Sequence, residues 1–162
     1  RVGENGRIFQ MYKFRTMVRD ADQHWETVAV RRPDGKLNFK QPDDPRITHV
    51  GQWLRRTSLD ELPQLLNVLK GDMSLVGPRP TSFSPETYRL WHTERLEVVP
   101  GLTGLGQVSG RSNLDFDQRL KLDIAYIERQ SLMMDFRILF LTVAQVFIGD
   151  GAYYSFTDEG IL

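Results

Sequence analysis

In the stretch TSLDELPQLLNVLKGDMSLVGPRP, Thr57 to Pro80, two adjacent carboxylates, Asp60 and Glu61, precede an apolar run that closes on Arg79 between two prolines. A carboxylate pair near cations can hold a divalent metal bound to phosphates, since magnesium prefers one or two carboxylates plus substrate oxygens. An aspartate can also attack phosphorus and form a covalent phosphoryl intermediate. The same residues have a structural use. Ser58 followed three residues later by Glu61 is a capping box, and acidic residues suit the positive end of a helix dipole. The two uses are compatible, because a helix N-terminus also favours the anionic form of a nucleophile.

Cations accompany the pair. Lys13 and Arg15 share one face of YKFRTM, Tyr12 to Met17, and Arg55 and Arg56 lie just upstream of Asp60. Proline restricts its own φ and the residue before it, so Arg79 in GPRP is held with little backbone freedom. A rigid guanidinium fork suits the two parallel hydrogen bonds of a phosphate. Arg111 ends the glycine-rich loop PGLTGLGQVSGR, whose backbone N–H groups could approach a phosphate. That loop lacks the Gly-Lys-Ser/Thr ending of a P-loop and is not a dinucleotide fingerprint. Taken singly, each arginine reads more simply as the partner of a surface carboxylate.

Composition narrows the classes. The chain has 162 residues, a one-domain length that can bury about 70% of its unfolded surface without a metal or disulfide staple. It is read as a single catalytic domain over 1–162. With 21 basic and 21 acidic residues, no global charge favours nucleic acid as a partner. The absence of cysteine excludes disulfides, thiol catalysis and zinc-thiolate sites, and fits a reducing compartment. His24, His49 and His92 lack metal-ligand spacing and read as ordinary surface or core residues. No stretch is long and apolar enough to span a bilayer; the nearest, Ser131 to Gly149, carries Asp135, Arg137 and Gln145. With neither a signal peptide nor a starting methionine, the chain reads as a fragment of something longer.

The elements that must position these residues are set by pattern. RVGENGRIFQMYKFRTM reads as an N-terminal β-hairpin turning at Asn5-Gly6. A polar region from Val18 to Pro45 carries a short helix near Asp20 to Val30, then a loop or loose hairpin. A short helix near Ile47 to Arg56 precedes the one launched at Ser58, whose apolar residues Leu62, Leu65, Leu66, Val68 and Leu69 fall near helical spacing before Gly71 stops it. Ser84 and Pro85 cap and begin another helix. The next spans about Phe116 to Arg129, with Phe116, Leu120, Ile124 and Ile127 as its buried stripe. The last, near Leu132 to Ile148, is apolar around most of its circumference, which suits core, membrane or partner. The fold class is α+β and helix-dominated: the hairpin packs on several helices, some of them amphipathic and suited to a membrane surface.

These segments resemble the bacterial sugar transferase family, the monotopic polyprenyl-phosphate phosphoglycosyl transferases of the undecaprenyl-phosphate hexose-1-phosphate transferase type. The resemblance rests on YKFRTM, on DPRIT to GPRP (Asp44 to Pro80), on PGLTGLGQVSGR, and on LDIAYIERQSLMMDFRILFLTV with the following GDGAY (Leu122 to Tyr153). It implies transfer of a sugar 1-phosphate from a nucleotide diphosphate sugar to polyprenyl (undecaprenyl) phosphate, initiating bacterial surface polysaccharide synthesis. By that resemblance Asp60 is the nucleophile that forms a phosphosugar-aspartate, and Glu61 is catalytic and helps to hold Mg2+. Lys13, Arg15, Arg55, Arg79, Gln107, Arg111 and Asp123 are implied as substrate-binding. The Val18 to Pro45 segment resembles the insertion of hexose-transferring members, which implies a UDP-hexose such as galactose or glucose.

The family's full chains carry an apolar re-entrant membrane segment just before the point where this chain starts. The full-length parent is therefore expected at the cytoplasmic face of the bacterial inner membrane, and this fragment as soluble. The family's usual tryptophan in the glycine-rich loop is replaced here by Leu105-Gly106, so seating at the membrane surface would differ. An exposed apolar last helix would suit a homodimer. The competing reading is a catalytically inactive, membrane-associated scaffold in polysaccharide assembly; the intact Asp60-Glu61 pair with Lys13 and Arg79 favours the enzyme.

Overall fold

A computed structural model of the protein describes residues 1–23, 30–31, 37–38, 44–81, 90–109 and 116–148. The chain divides into two compact units, Phe14–Asp60 in one and Arg1–Lys13 with Glu61–Leu162 in the other. Helices dominate, as the sequence predicts.

In the Phe14–Asp60 unit, β1 (Val30–Arg31) and β2 (Leu37–Asn38) form a short antiparallel pair, the loose hairpin of the polar region. Residues 20–23 form a turn, and the rest of the helix predicted to Val30 lies outside the described residues up to β1. Helix α1 (His49–Arg56) is capped by Thr48, whose hydroxyl accepts from Gly51 N–H at 2.9 Å. Its glycine has a packing reason: a Cβ on Gly51 would fall 2.8 Å from Thr16 Cα and closer still to the Thr16 carbonyl. Arg46 forks onto Asp44, with Nη2 2.7 Å from Oδ2, and its backbone N–H also donates to Oδ1.

The larger unit is built on a parallel pair, β3 (Ser74–Val76) with β4 (Gly101–Thr103), in register Ser74↔Gly101 and Val76↔Thr103. Three helices cover it: α3 (Leu105–Val108), α4 (Phe116–Glu128) and α5 (Leu132–Ile148). Val76, Leu105, Val108, Tyr126 and Ile138 form the buried cluster, flanked by half-buried Leu122, Ile127, Met134, Leu139 and Leu141. Polar ties fix the helices on the sheet. Tyr126 donates to Asp135 Oδ1 at 2.7 Å, the Thr103 and Thr142 hydroxyls bond at 2.7 Å, and Gln145 Nε2 donates to the Val108 carbonyl at 2.9 Å. On α4 the buried stripe runs through Leu120, Asp123 and Tyr126, with Ile124 and Ile127 half-buried; the Phe116 side chain lies outside the described residues. Helix α5 buries Ile138 and turns Leu132, Met133, Phe136, Phe140, Val143 and Phe147 outward.

Two expectations are corrected by the structure. The Asn5-Gly6 turn is present, with both residues at positive φ, yet it closes only the Val2↔Ile8 bridge rather than a full hairpin. Beyond it the chain pairs with a side chain instead of a strand: Tyr12 N–H donates to Asn67 Oδ1 at 3.0 Å, and Asn67 Nδ2 donates to the Gln10 carbonyl at 2.7 Å. Secondly, Ser58 starts no capping box. It sits at φ 57 and donates its N–H to the Arg55 carbonyl. The next residues, Leu59–Gln64, form a 3-10 helix that leads into a short α2 (Leu65–Leu69). Both segments are too short for a substantial macrodipole. Their polarity is inverted, with Gln64 and Asn67 buried while Leu62, Leu65, Leu66 and Leu69 are exposed. The helix predicted from Ser84 and Pro85 begins outside the described residues, and its described part, Leu90–Leu96, is 3-10.

Candidate active site

Three of the residues singled out in the sequence converge in the larger unit. Glu61, in the 3-10 helix, receives Arg79 from the GPRP loop as a fork: Nη2 donates to Oε1 at 2.5 Å and Nη1 to Oε2 at 3.2 Å. Lys13 Nζ donates to the same Oε1 at 3.4 Å. The Glu61 side chain retains 21% exposure, against 43% for Arg79 and 35% for Lys13. Burial pushes the Glu61 carboxyl up, but the Arg79 guanidinium and then Lys13 outweigh it and hold it below the usual carboxylate range. It is an ionised group with cations on one side and solvent within reach.

The loop that carries Arg79 is fixed by its surroundings. The Gly77 N–H donates to the Thr103 carbonyl, and Gly101 N–H to the Pro78 carbonyl, both at 2.9 Å. A Cβ on Gly101 would lie 2.6 Å from Gly77 Cα, and one on Gly104 3.1 Å from the Gly77 carbonyl carbon, with nearer backbone atoms in each case. Of the backbone N–H groups in PGLTGLGQVSGR, that of Gly101 is therefore engaged in seating the GPRP loop. A shallow crevice beside that loop is lined by Gly3, Arg79, Arg95 and Val98 among others.

The other predicted residues belong to the Phe14–Asp60 unit, serve the fold of the larger unit, or lie outside the described residues. Asp60 ends the Phe14–Asp60 unit, 3% exposed, its backbone carbonyl accepting from Phe14 N–H at 3.0 Å. In that unit Arg15 is exposed, and Arg55 Nε donates to the Thr16 hydroxyl at 2.9 Å. Gln107 Nε2 donates to the Leu102 carbonyl at 3.2 Å. Asp123 is buried, paired with Arg95 at 2.8 Å, and burial pushes its carboxyl up to about 6 against the pull of Arg95 and Arg119. Arg111 lies outside the described residues. Sequence reading missed Arg95 and Asn67, which no spacing or composition signal distinguishes from other polar residues.

Among the described residues no group of three or more His, Cys, Asp or Glu could hold a metal by itself. A lone ionised Glu61 with partial exposure suits a different kind of site, in which magnesium takes one protein carboxylate and most of its ligands from phosphate oxygens and water.

The family model described as bacterial sugar transferase matches residues 1–149. The chain is 51% identical over 154 residues to the galactosyl transferase CpsE of Streptococcus agalactiae, covering 94% of this chain and 34% of that protein. It is 48% identical over 158 residues to the undecaprenyl-phosphate galactose phosphotransferase of Salmonella typhimurium, covering 94% and 33%. It is 41% identical over 158 residues to the exopolysaccharide production protein ExoY of Sinorhizobium fredii, covering 94% and 70%. The chain thus spans about a third of the length of the first two relatives.

Proposed function

The chain belongs to the bacterial sugar transferase family, and on that premise we propose that it is the catalytic domain, over 1–162, of an enzyme that transfers a sugar 1-phosphate from a UDP-hexose to undecaprenyl phosphate. The observation that carries this reading is the ionised Glu61 held by Lys13 and Arg79, directly after Asp60 in the chain. The names of the relatives in Streptococcus agalactiae and Salmonella typhimurium favour galactose as the sugar.

In the first half-reaction a carboxylate oxygen of Asp60 attacks the phosphorus that bears the sugar. The bond from that phosphorus to the bridging oxygen breaks, and UMP leaves with the electron pair. In the second, an oxygen of undecaprenyl phosphate attacks the same phosphorus and the aspartyl oxygen leaves, regenerating Asp60. Both halves bring anions together, so Arg79 and Lys13 are the groups that offset the repulsion, exchanging part of their bond to Glu61 for the donor's pyrophosphate. Glu61 then has oxygens free for magnesium, which when bound supplies Lewis-acid neutralisation of phosphate charge. Asp60 is buried, so its attack requires local opening. The exposed Leu62, Leu65, Leu66 and Leu69, next to Glu61 in sequence, and the outward phenylalanines of α5 support a membrane surface as the place of action.

The test uses the full-length protein with magnesium and no lipid acceptor. Radiolabelled UMP is expected to exchange into UDP-galactose, as a covalent intermediate requires, and Asp60→Asn to abolish the exchange. Exchange undiminished in Asp60→Asn would remove the nucleophile assignment. Absence of both exchange and lipid-linked product across a donor panel would favour a scaffold.

A further inference from the structure

The loop that aims Arg79 is held by its carbonyls. Pro78 O accepts from Gly101 N–H at 2.9 Å and Thr81 O from Val2 N–H at 3.0 Å. The carbonyl of Arg79 itself accepts from a side chain, Arg95 Nη2, at 2.5 Å. Arg95 comes from the Leu90–Leu96 3-10 helix and is 8% exposed. The same Nη2 lies 2.8 Å from Asp123 Oδ2 on α4. One buried guanidinium therefore joins α4 to the backbone of the residue that grips Glu61.

Stability alone is a poor reason for such a pair. Desolvating both charges commonly offsets their attraction, and an apolar pair of similar volume holds a fold as well or better. Geometry offers a reason. The flanking prolines limit φ at their own positions, and Pro80 biases Arg79 towards extended conformations. Within that extended range ψ of Arg79 can still vary by roughly 40°, and that residual rotation swings its carbonyl. A charge-assisted bond to the carbonyl, from a rigid planar fork, removes this freedom.

We propose that Arg95, braced by Asp123, is a positioning residue that sets the Arg79 guanidinium on Glu61 and so governs capture of the donor's phosphates without touching them. The inference rests on the Lys13–Glu61–Arg79 site proposed above. It accounts for Asp123, which the family resemblance placed with the substrate-binding residues and which the structure buries against Arg95.

The experiment is a double-mutant cycle in the full-length protein, with UDP-galactose, undecaprenyl phosphate and magnesium, reading kcat/KM for the donor and Tm for each variant. Arg95→Lys keeps a positive charge beside Asp123 but loses the fork. In the wild-type background it is expected to lower kcat/KM by roughly 10-fold or more, and in the Arg79→Ala background by less than about twofold, because residues acting as a unit are non-additive. Its effect on Tm should be the same in both backgrounds. Equal losses of kcat/KM in both, or no loss in the single variant, would overturn the positioning role and leave the site reading standing. Full activity of Arg79→Ala would remove the site reading, and the positioning role with it. If Arg95→Lys fails to fold, Asp123→Asn passes through the same cycle under the same criteria.

Discussion

Replacing Gly101 by alanine separates a packing role for the glycine-rich segment from a phosphate-binding one. A Cβ there would lie 2.6 Å from Gly77 Cα, with Gly77 N and Thr103 O nearer still. All three are backbone atoms of the β3–β4 pair or its exit, so no side-chain rotation relieves the clash. To reach ordinary contact the two segments must part by about 1 Å, which a close-packed interior resists. Parting breaks two bonds, Gly77 N–H to Thr103 O and Gly101 N–H to Pro78 O. Overpacking costs roughly 1–3 kcal/mol, and each buried donor left without its acceptor about 1–3 kcal/mol more. These sum to roughly 3–9 kcal/mol, and even about 5 kcal/mol is a large share of the ~5–15 kcal/mol that holds a domain folded. At about 2–4 °C per kcal/mol for a domain of this size, Tm should fall by roughly 10–20 °C. Gly106, in the same motif, is the control. Its Cβ would meet nothing closer than Asp123 Oδ1 at 3.6 Å, and it lies within α3. Gly106→Ala should be neutral, or stabilising by up to about 1 kcal/mol through helix propensity. Thermal unfolding of both variants, followed by far-UV circular dichroism, decides the matter. A Gly101→Ala Tm within about 2 °C of wild type would refute the packing account, as would equal damage from Gly106→Ala.

Buried polar groups give two further outcomes. Tyr126→Phe removes a hydroxyl that donates to Asp135 Oδ1 at 2.7 Å from a fully buried ring. Urea unfolding should show a loss of about 1.5–3 kcal/mol at unchanged m-value, the range for a bond to a charged acceptor; a change under ~0.5 kcal/mol would show that the bond does not brace α4 on α5. Asp123, faced by Arg95 from the 3-10 helix and Arg119 from its own helix, has its carboxyl raised from 3.8 to about 6. A raised folded-state value favours the protonated form in the fold. Its contribution is therefore fully present below 3.8 and is lost as pH rises through 6, by up to ~3 kcal/mol. The stability of wild type relative to Asp123→Asn should accordingly decline between pH 4 and 7, and a flat difference would contradict the shift. Glu61 runs the other way, contributing above its ordinary value and losing that contribution as pH falls through its lowered one.

Long periodic segments were legible in the sequence. Helices α4 and α5 lie where apolar spacing put them, and α1 lies within the stretch near Ile47 to Arg56 read as a short helix. The β3–β4 pair was not legible, because three-residue strands carry too little alternation to register and a parallel pairing joins distant segments. The capping box failed for a tertiary reason: Glu61 bonds Arg79 and Lys13, eighteen and forty-eight residues away. Residue type alone identified these groups as fit for phosphate chemistry, and the family resemblance selected them; their convergence required the fold. Arg95 had no signal at all, since what distinguishes it is the carbonyl and the carboxylate it meets.

The inverted polarity of the segment after Glu61 has a consequence for how a two-part substrate could be received. A helix that packs in water buries its leucines. Here Asn67 is buried instead, because its amide completes the hydrogen bonding of Gln10 and Tyr12 on the way to Lys13. Burying Asn67 obliges the opposite face of α2 to carry Leu65, Leu66 and Leu69 outward. The bond that sets the approach to Lys13 thus also fixes the apolar display. On the proposed function these are two halves of one demand, a cationic grip for a phosphate and an apolar surface for the hydrocarbon attached to it. A leucine face exposed by accident would be removable without loss; one tied through Asn67 to Lys13 is not. Asn67→Leu should therefore disturb both properties together, weakening donor use and liposome binding by the full-length protein, whereas Leu66→Gln should weaken liposome binding alone. If Asn67→Leu altered neither, or altered membrane binding without donor use, the coupling through Asn67 would be wrong.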